Sequence, residues 1–313
     1  MRNCFLFPGQ GAQFPGMGKD LWEASSRVKK LFDDASEWTE TDIPKLLFES
    51  AEDELKKTEN TQIAITAVNL ASLLMLKEAG IAPSAVAGFS LGEFSALAAA
   101  GVLSFEEVFP LVKKRGEIMA AAAEKLSAGE RGPGMAAVMG LAPDAVQELC
   151  ETSGLDIYAA NFNSPDQTVV GGTCEALSRG KEYFTAKGAK RWIPLKVSAP
   201  FHTPLMESAR REFAVTVQAL GFRDPEITLI SNVSGKVVVS GAEAQELCIA
   251  QVTSPVRWTS EEETILALKT DICIEAGPGK VLSGLWKKTG SEVPCLTAGT
   301  LEEIENIRKS YSS

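Results

Sequence analysis

Gly88-Phe89-Ser90-Leu91-Gly92 narrows the possibilities for this chain further than any other segment. It stands between Ala85-Val86-Ala87-Gly88-Phe89, which reads as a buried strand, and Leu91 to Ala100, whose small residues suit a buried helix. A serine on a sharp strand-to-helix turn presents its hydroxyl outward, and a glycine on either side lets strand and helix approach without a Cβ clash. The helix beyond it directs free N–H groups and its positive end at any oxyanion forming beside Ser90. The same pentapeptide also fits a packed junction whose serine merely caps a helix. The motif is therefore weak alone, and its strand–turn–helix setting carries the nucleophile reading.

A serine hydroxyl is a poor nucleophile at neutral pH and needs a neighbouring base. The chain has one histidine, His202, in Ser198-Ala199-Pro200-Phe201-His202-Thr203-Pro204, a strand-to-helix junction. A lone histidine is more often structural, but if Ser90 is activated by histidine, His202 is the base. An α/β-hydrolase runs Ser, then Asp or Glu, then a His near its C-terminus. His202 comes too early for that order, and no motif marks a carboxylate to orient it.

Strand and helix patterns alternate through the rest of the chain. Cys4–Phe7 reads as a strand ended by Pro8-Gly9, Thr61–Ala79 as a long helix stopped by Gly80, and Phe105–Lys125 as a helix capped by Ser104 with Glu107. Gly129-Glu130-Arg131-Gly132-Pro133-Gly134 reads as a linker. Beyond it the order is strand (Met135–Gly140), helix (Pro143–Glu151), two strands (Asp156–Phe162, Thr168–Gly171) about the turn Asn163-Ser164-Pro165-Asp166, helix (Glu175–Lys187) and strand (Arg191–Val197). That is the βαββαβ order of a ferredoxin-like unit. Strands at Ile227–Ser231, Lys236–Val239 and Asp271–Glu275, with helices at Pro204–Leu220 and Glu261–Leu268, resume the α/β pattern. The expected architecture is an α/β core, residues 1–128 and 199–313, interrupted by a small α+β domain, residues 129–198.

Composition removes other classes. A net charge of −10 argues against general nucleic-acid binding. No apolar run approaches the roughly 20 residues that span a bilayer, and the N-terminus lacks a signal-peptide core, so a cytoplasmic protein with no membrane association is expected. The six cysteines are scattered without C-x-x-C spacing, and one histidine leaves little room for a catalytic zinc site, so no metal is expected. Gly9-Gln10-Gly11 lacks the third glycine and the Lys-Ser/Thr of a phosphate loop.

Several segments together resemble the malonyl/acyltransferase family, in order and over nearly the whole chain. They are Phe7-Pro8-Gly9-Gln10-Gly11-Ala12-Gln13, Gly88-Phe89-Ser90-Leu91-Gly92-Glu93, Arg115, Asn161-Phe162-Asn163-Ser164-Pro165, Ser198–His202, Gln251-Val252-Thr253-Ser254-Pro255-Val256-Arg257-Trp258 and Glu275-Ala276-Gly277-Pro278-Gly279. The resemblance implies an α/β-hydrolase-like core with an inserted ferredoxin-like subdomain. It implies a catalytic pair of Ser90 and His202, an oxyanion hole from the N–H groups of Gln10 and Leu91, and a Gln251 carbonyl orienting His202. Arg115 would grip the free carboxylate of a malonyl group, and Phe201 and Asn163 would line the acyl site. The family usually has His before the nucleophile, where this chain has Phe89, which bears on pocket packing or acyl choice.

The implied reaction moves a malonyl group from malonyl-CoA to the phosphopantetheine thiol of an acyl carrier protein, for fatty acid or polyketide synthesis. No tightly bound cofactor is implied, and a monomer is expected. Basic clusters at Lys187, Lys190 and Arg191, or at Lys280, Lys287 and Lys288, would steer an acidic carrier and the phosphates of CoA. A GxSxG esterase or thioesterase, a transacylase for another acyl group, and a silent binding domain remain alternatives.

Overall fold

Apolar runs too short for helices, each ended by glycine, proline or a polar turn, become the strands of two sheets. The computed structural model describes residues 1–126, 132, 134–197 and 199–311, and most of the linker read at 129–134 lies outside them. Among the described residues the strands are β1 (Asn3–Phe7), β2 (Ala85–Gly88), β3 (Gly134–Met139), β4 (Ile157–Ser164), β5 (Gln167–Gly172), β6 (Arg191–Pro194), β7 (Thr228–Ile230), β8 (Val237–Val238), β9 (Ile272–Glu275) and β10 (Cys295–Thr297).

The larger sheet runs β10-β9-β1-β2-β7-β8, parallel throughout except for β8. Its strands β1, β2 and β9 are buried on both faces, as expected of a parallel sheet covered by helices. Helices cover it, among them Thr58–Glu78, buried nearly from end to end, and Phe105–Leu126. Ser104 and Glu107 form the reciprocal cap of the latter, each side chain taking the other's N–H.

The smaller sheet is antiparallel, in the order β4-β5-β3-β6, with helices Pro143–Thr152 and Cys174–Ala186 packed on it. Alternation along β3 divides its side chains between two cores. Met135 and Ala137 join the core of the larger unit, while Ala136 and Val138 pack with Val146, Ile157, Val170 and Phe184.

Some boundaries differ from those read in sequence. Strand β4 continues through Asn163 and Ser164, because Ser164 pairs with Gln167 and leaves only Pro165-Asp166 as the turn. Strand β6 stops at Pro194, and Pro204–Met206 is a 3₁₀ turn before the helix Glu207–Gln218. The elbow helix begins at Gly92 rather than Leu91. Among the described residues no helix is long and apolar enough to cross a membrane.

Candidate active site

The site forms at the C-terminal ends of the parallel strands, where open α/β sheets place their crevice. Phe7 and Gly88 end β1 and β2 in register, so Pro8-Gly9-Gln10 and Phe89-Ser90-Leu91 leave the sheet side by side. The turn at Ser90 is tight. A Cβ on Gly88 would overlap the Gly92 backbone, and one on Gly92 would overlap the Phe7 carbonyl. Ser90 itself sits at φ 52°, a left-handed conformation costly for a residue with a side chain.

His202 lies in the segment after β6, also left-handed at φ 61°, and is only 4% exposed. Its Nε2 is 2.6 Å from Ser90 Oγ, and its Nδ1 is 2.8 Å from the backbone oxygen of Gln251. A carbonyl only accepts, so Nδ1 carries the proton and Nε2 offers its lone pair to the serine hydroxyl. Burial first, and then the Arg115 charge, push the imidazole down to about 4, against the opposing bonds to the Gln251 and Ser254 backbone. The ring is therefore neutral at pH 7, the form that can take a proton.

Arg115 projects from the helix Phe105–Leu126 and is 2% exposed, although its neighbour Lys114 in the run Lys113-Lys114-Arg115 faces solvent. One terminal nitrogen donates to Gln62 Oε1 at 2.9 Å and the other to Gln251 Oε1 at 3.0 Å, while Phe94 lies beneath the guanidinium at 5.2 Å. Its Nε has no partner among the described residues, and no ion pair joins it to a carboxylate. Burial lowers it to about 10, so it remains cationic.

Gln251 holds three of these groups at once. Besides its backbone bond to His202 and its Oε1 contact with Arg115, its Nε2 donates to the Ser90 carbonyl at 3.0 Å and to Glu93 Oε2. Ser90, His202 and Arg115 line one cavity of about 410 Å³, to which Gln10 and Leu91 also contribute. Phe201 and Asn163 line it as well, with Phe89, whose ring packs 5.5 Å from that of Trp258. The N–H groups of Gln10 and Leu91 find no acceptor among the described residues, whereas the Ser90 N–H is taken by Asn232 Oδ1 at 2.6 Å.

Sequence reasoning assigned no role to Asn232, Gln62, Glu93 or Glu261. Asn232 had one usable signal, its position just after a strand at the catalytic end of a parallel sheet. Burial raises Glu93 to about 7, and burial with the nearby Glu93 charge raises Glu261 well above the ordinary carboxylate range. Among the described residues no group of three or more His, Cys, Asp or Glu is placed to hold a metal ion.

The strand–elbow–helix geometry and the serine paired with a neutral histidine are those of a site able to carry out acyl transfer. Residues 4–307 match the family described as acyl transferase domain, and the chain belongs to that family. It is 42% identical over 305 residues to the malonyl CoA-acyl carrier protein transacylase of Bacillus subtilis (strain 168), covering 96% of this chain and 95% of the relative. The crystal structure of the protein of the same name from Clostridium perfringens superposes with a TM-score of 0.93 at 35% identity, covering 100% of this chain and 98% of that one. A type II PKS acyl-carrier protein has been solved in complex with its malonyl-transacylase. The matching chain there gives a TM-score of 0.92 at 34% identity, covering 99% of this chain and 100% of that one.

Proposed function

We propose that this chain transfers the malonyl group of malonyl-CoA to the phosphopantetheine thiol of an acyl carrier protein, through an ester on Ser90, in supply of fatty acid synthesis. The observation that carries the malonyl assignment is Arg115, a buried guanidinium in the nucleophile's own cavity with no carboxylate paired to it among the described residues. A buried cation whose nearby carboxyl, Glu93, reaches it through space and not by a direct ion pair is costly, and a substrate bearing a free carboxylate supplies one in the planar geometry that arginine binds with two bonds. The names of its relatives point the same way.

In this reading Ser90 Oγ attacks the thioester carbonyl carbon as its proton passes to His202 Nε2. The tetrahedral oxyanion lies between the N–H groups of Leu91 and Gln10, each worth about 3 kcal/mol in such a role. Collapse breaks the carbon–sulfur bond, and the departing CoA thiolate takes the proton from His202. The carrier thiol then gives its proton to His202, attacks the malonyl ester through a second tetrahedral oxyanion, and Ser90 leaves with that proton. Binding and release alternate in ping-pong order. The Gln251 carbonyl orients His202 in place of a carboxylate. Phe201 and Asn163 shape the acyl site, and Phe201 would crowd an α-branched acyl group.

The small unit supports a ferredoxin-like assignment for residues 129–198, because its strands pair in the 4-1-3-2 order with βαββαβ connectivity. The rest, with its elbow after β2, is read as an α/β-hydrolase-like core of residues 1–128 and 199–313. For carrier and CoA docking, Lys280, Lys287 and Lys288 are the favoured basic cluster. They are exposed and flank the short helix whose Val281 and Leu285 line the cavity.

Steady-state kinetics of Arg115→Ala with malonyl-CoA and acetyl-CoA test the assignment. We expect kcat/KM for malonyl-CoA to fall about 10²–10³-fold, the size of a lost charged hydrogen-bonded pair, with acetyl-CoA changed much less. Equal losses on both donors would mean that Arg115 only supports the fold and that the acyl group is not malonyl.

A further inference from the structure

Asn232, fully buried just beyond β7, touches the nucleophile turn at both ends. Its Oδ1 accepts the Ser90 N–H at 2.6 Å and its Nδ2 donates to the Gly88 carbonyl, so one amide spans Gly88-Phe89-Ser90. The same Nδ2 donates to Glu261 at 3.1 Å, which fixes the amide's orientation. Its backbone N–H donates to Glu93 Oε1 at 2.9 Å, and the other oxygen of Glu93 accepts from the Gln251 side chain, whose carbonyl holds His202. A closed ring of contacts thus runs from Ser90 through Asn232, Glu93 and Gln251 to His202 and back to Ser90 Oγ.

We infer that Asn232 is a positioning residue for acyl transfer, holding Ser90 in its left-handed turn and in line with His202 through simultaneous bonds to the Ser90 N–H and the Gly88 carbonyl. Two consequences follow from the geometry. Ser90 at φ 52° has no glycine-like freedom, so the conformation persists only while its surroundings over-determine it. Because Asn232 occupies the Ser90 N–H, that group is withdrawn from any oxyanion site, and the free N–H groups of Leu91 and Gln10 are left to form it. Glu261 matters here as the acceptor that keeps Nδ2, rather than Oδ1, turned toward Gly88.

The inference rests on Ser90 being the nucleophile of the proposed function, and the test separates the two. Ser90 reactivity is read twice, as single-turnover acylation by malonyl-CoA and as inactivation by a small serine-directed sulfonyl fluoride that needs no malonyl site. In Asn232→Ala we expect both rates to fall about 10²-fold, the scale of a misplaced reacting group, with KM for malonyl-CoA within about 3-fold of the parent. A folded Asn232→Ala that reacts at the parental rate overturns the inference. If that variant does not fold, Asn232→Asp decides. The introduced carboxyl can donate to the Gly88 carbonyl only when protonated, so its rate relative to the parent should rise as pH is lowered from about 8 to about 6. A pH-independent ratio would overturn the inference by the same standard. A parent that reacts with the sulfonyl fluoride but forms no malonyl ester would instead count against the proposed function and leave the positioning role to be judged on the sulfonyl rate.

Discussion

The two units of this molecule bury opposite chemistries. The small antiparallel unit closes over Ala136, Val138, Val146, Ile157, Val170 and Phe184, with no buried charged side chain among its described residues. The larger unit buries Glu93, Arg115, His202 and Glu261 directly around the elbow, joined through Gln62, Asn232 and Gln251. Such a network is expensive unless its members are partnered, and it fixes geometry when they are. The difference teaches a division of labour. In the proposed mechanism the reacting groups stand on this polar floor, while the small unit supplies Asn163, Gln167 and Val169 to the wall of the cavity.

The comparison breaks most sharply at Ser90. Ser90→Ala should abolish transacylation by at least about 10⁴-fold while leaving the melting temperature near that of the parent, a pairing checked by carrier-loading assays and thermal unfolding. Phe184→Ala, at the centre of the apolar unit with its ring tilted against that of Trp192 at 5.6 Å, should do the reverse. It should cost about 3–5 kcal/mol of stability in denaturant titrations, with Ser90 acylation per folded molecule largely kept. Comparable losses of activity per folded molecule would mean that the wall is part of the machinery.

The acid limb of the pH profile sharpens the picture of the floor. In the proposed mechanism the neutral imidazole of His202 is the active form, and burial and Arg115 lower its pKa to about 4. Activity should therefore stay level as pH falls from about 6.5 to about 5 and be lost only as it passes through about 4, rather than bending at the ordinary histidine value of about 6.5. A midpoint near 6.5 in kcat/KM would show that the floor does not isolate His202. Asn163→Ala should give the smallest effect. We expect a rise of a few fold in KM for malonyl-CoA with kcat little changed, since truncating one polar group of the wall removes uniform binding only.

Much of the floor's scaffold was legible in sequence because it follows local rules. The run Ala85–Gly88, the glycines about Ser90 and the cap of Ser104 with Glu107 each announce themselves within a few residues. The βαββαβ order could be read from alternating periods, and only its edges shifted, where β4 runs on to Ser164 and β6 stops at Pro194. Arg115 was less legible. Beside Lys113 and Lys114 it looks like a solvated charge, and only the turn of the helix separates it from exposed Lys114. Asn232 offered only its place just after a strand, since its partner Ser90 lies 142 residues away and is brought near by the pairing of β2 with β7. The helices within 19–48 and at 241–250, 281–286 and 301–311 were not read, although the first of these segments carries local signals in the N-caps Ser25 and Asp42 and in Pro44 at the start of Ile43–Phe48.

The most direct test is the intact mass of the protein after mixing with malonyl-CoA in the absence of any carrier. We expect a stable gain of one malonyl group, absent in Ser90→Ala, retained until a carrier thiol is added, and weak with acetyl-CoA. Rapid release of free CoA with no adduct on Ser90 would contradict it and make this site a hydrolase.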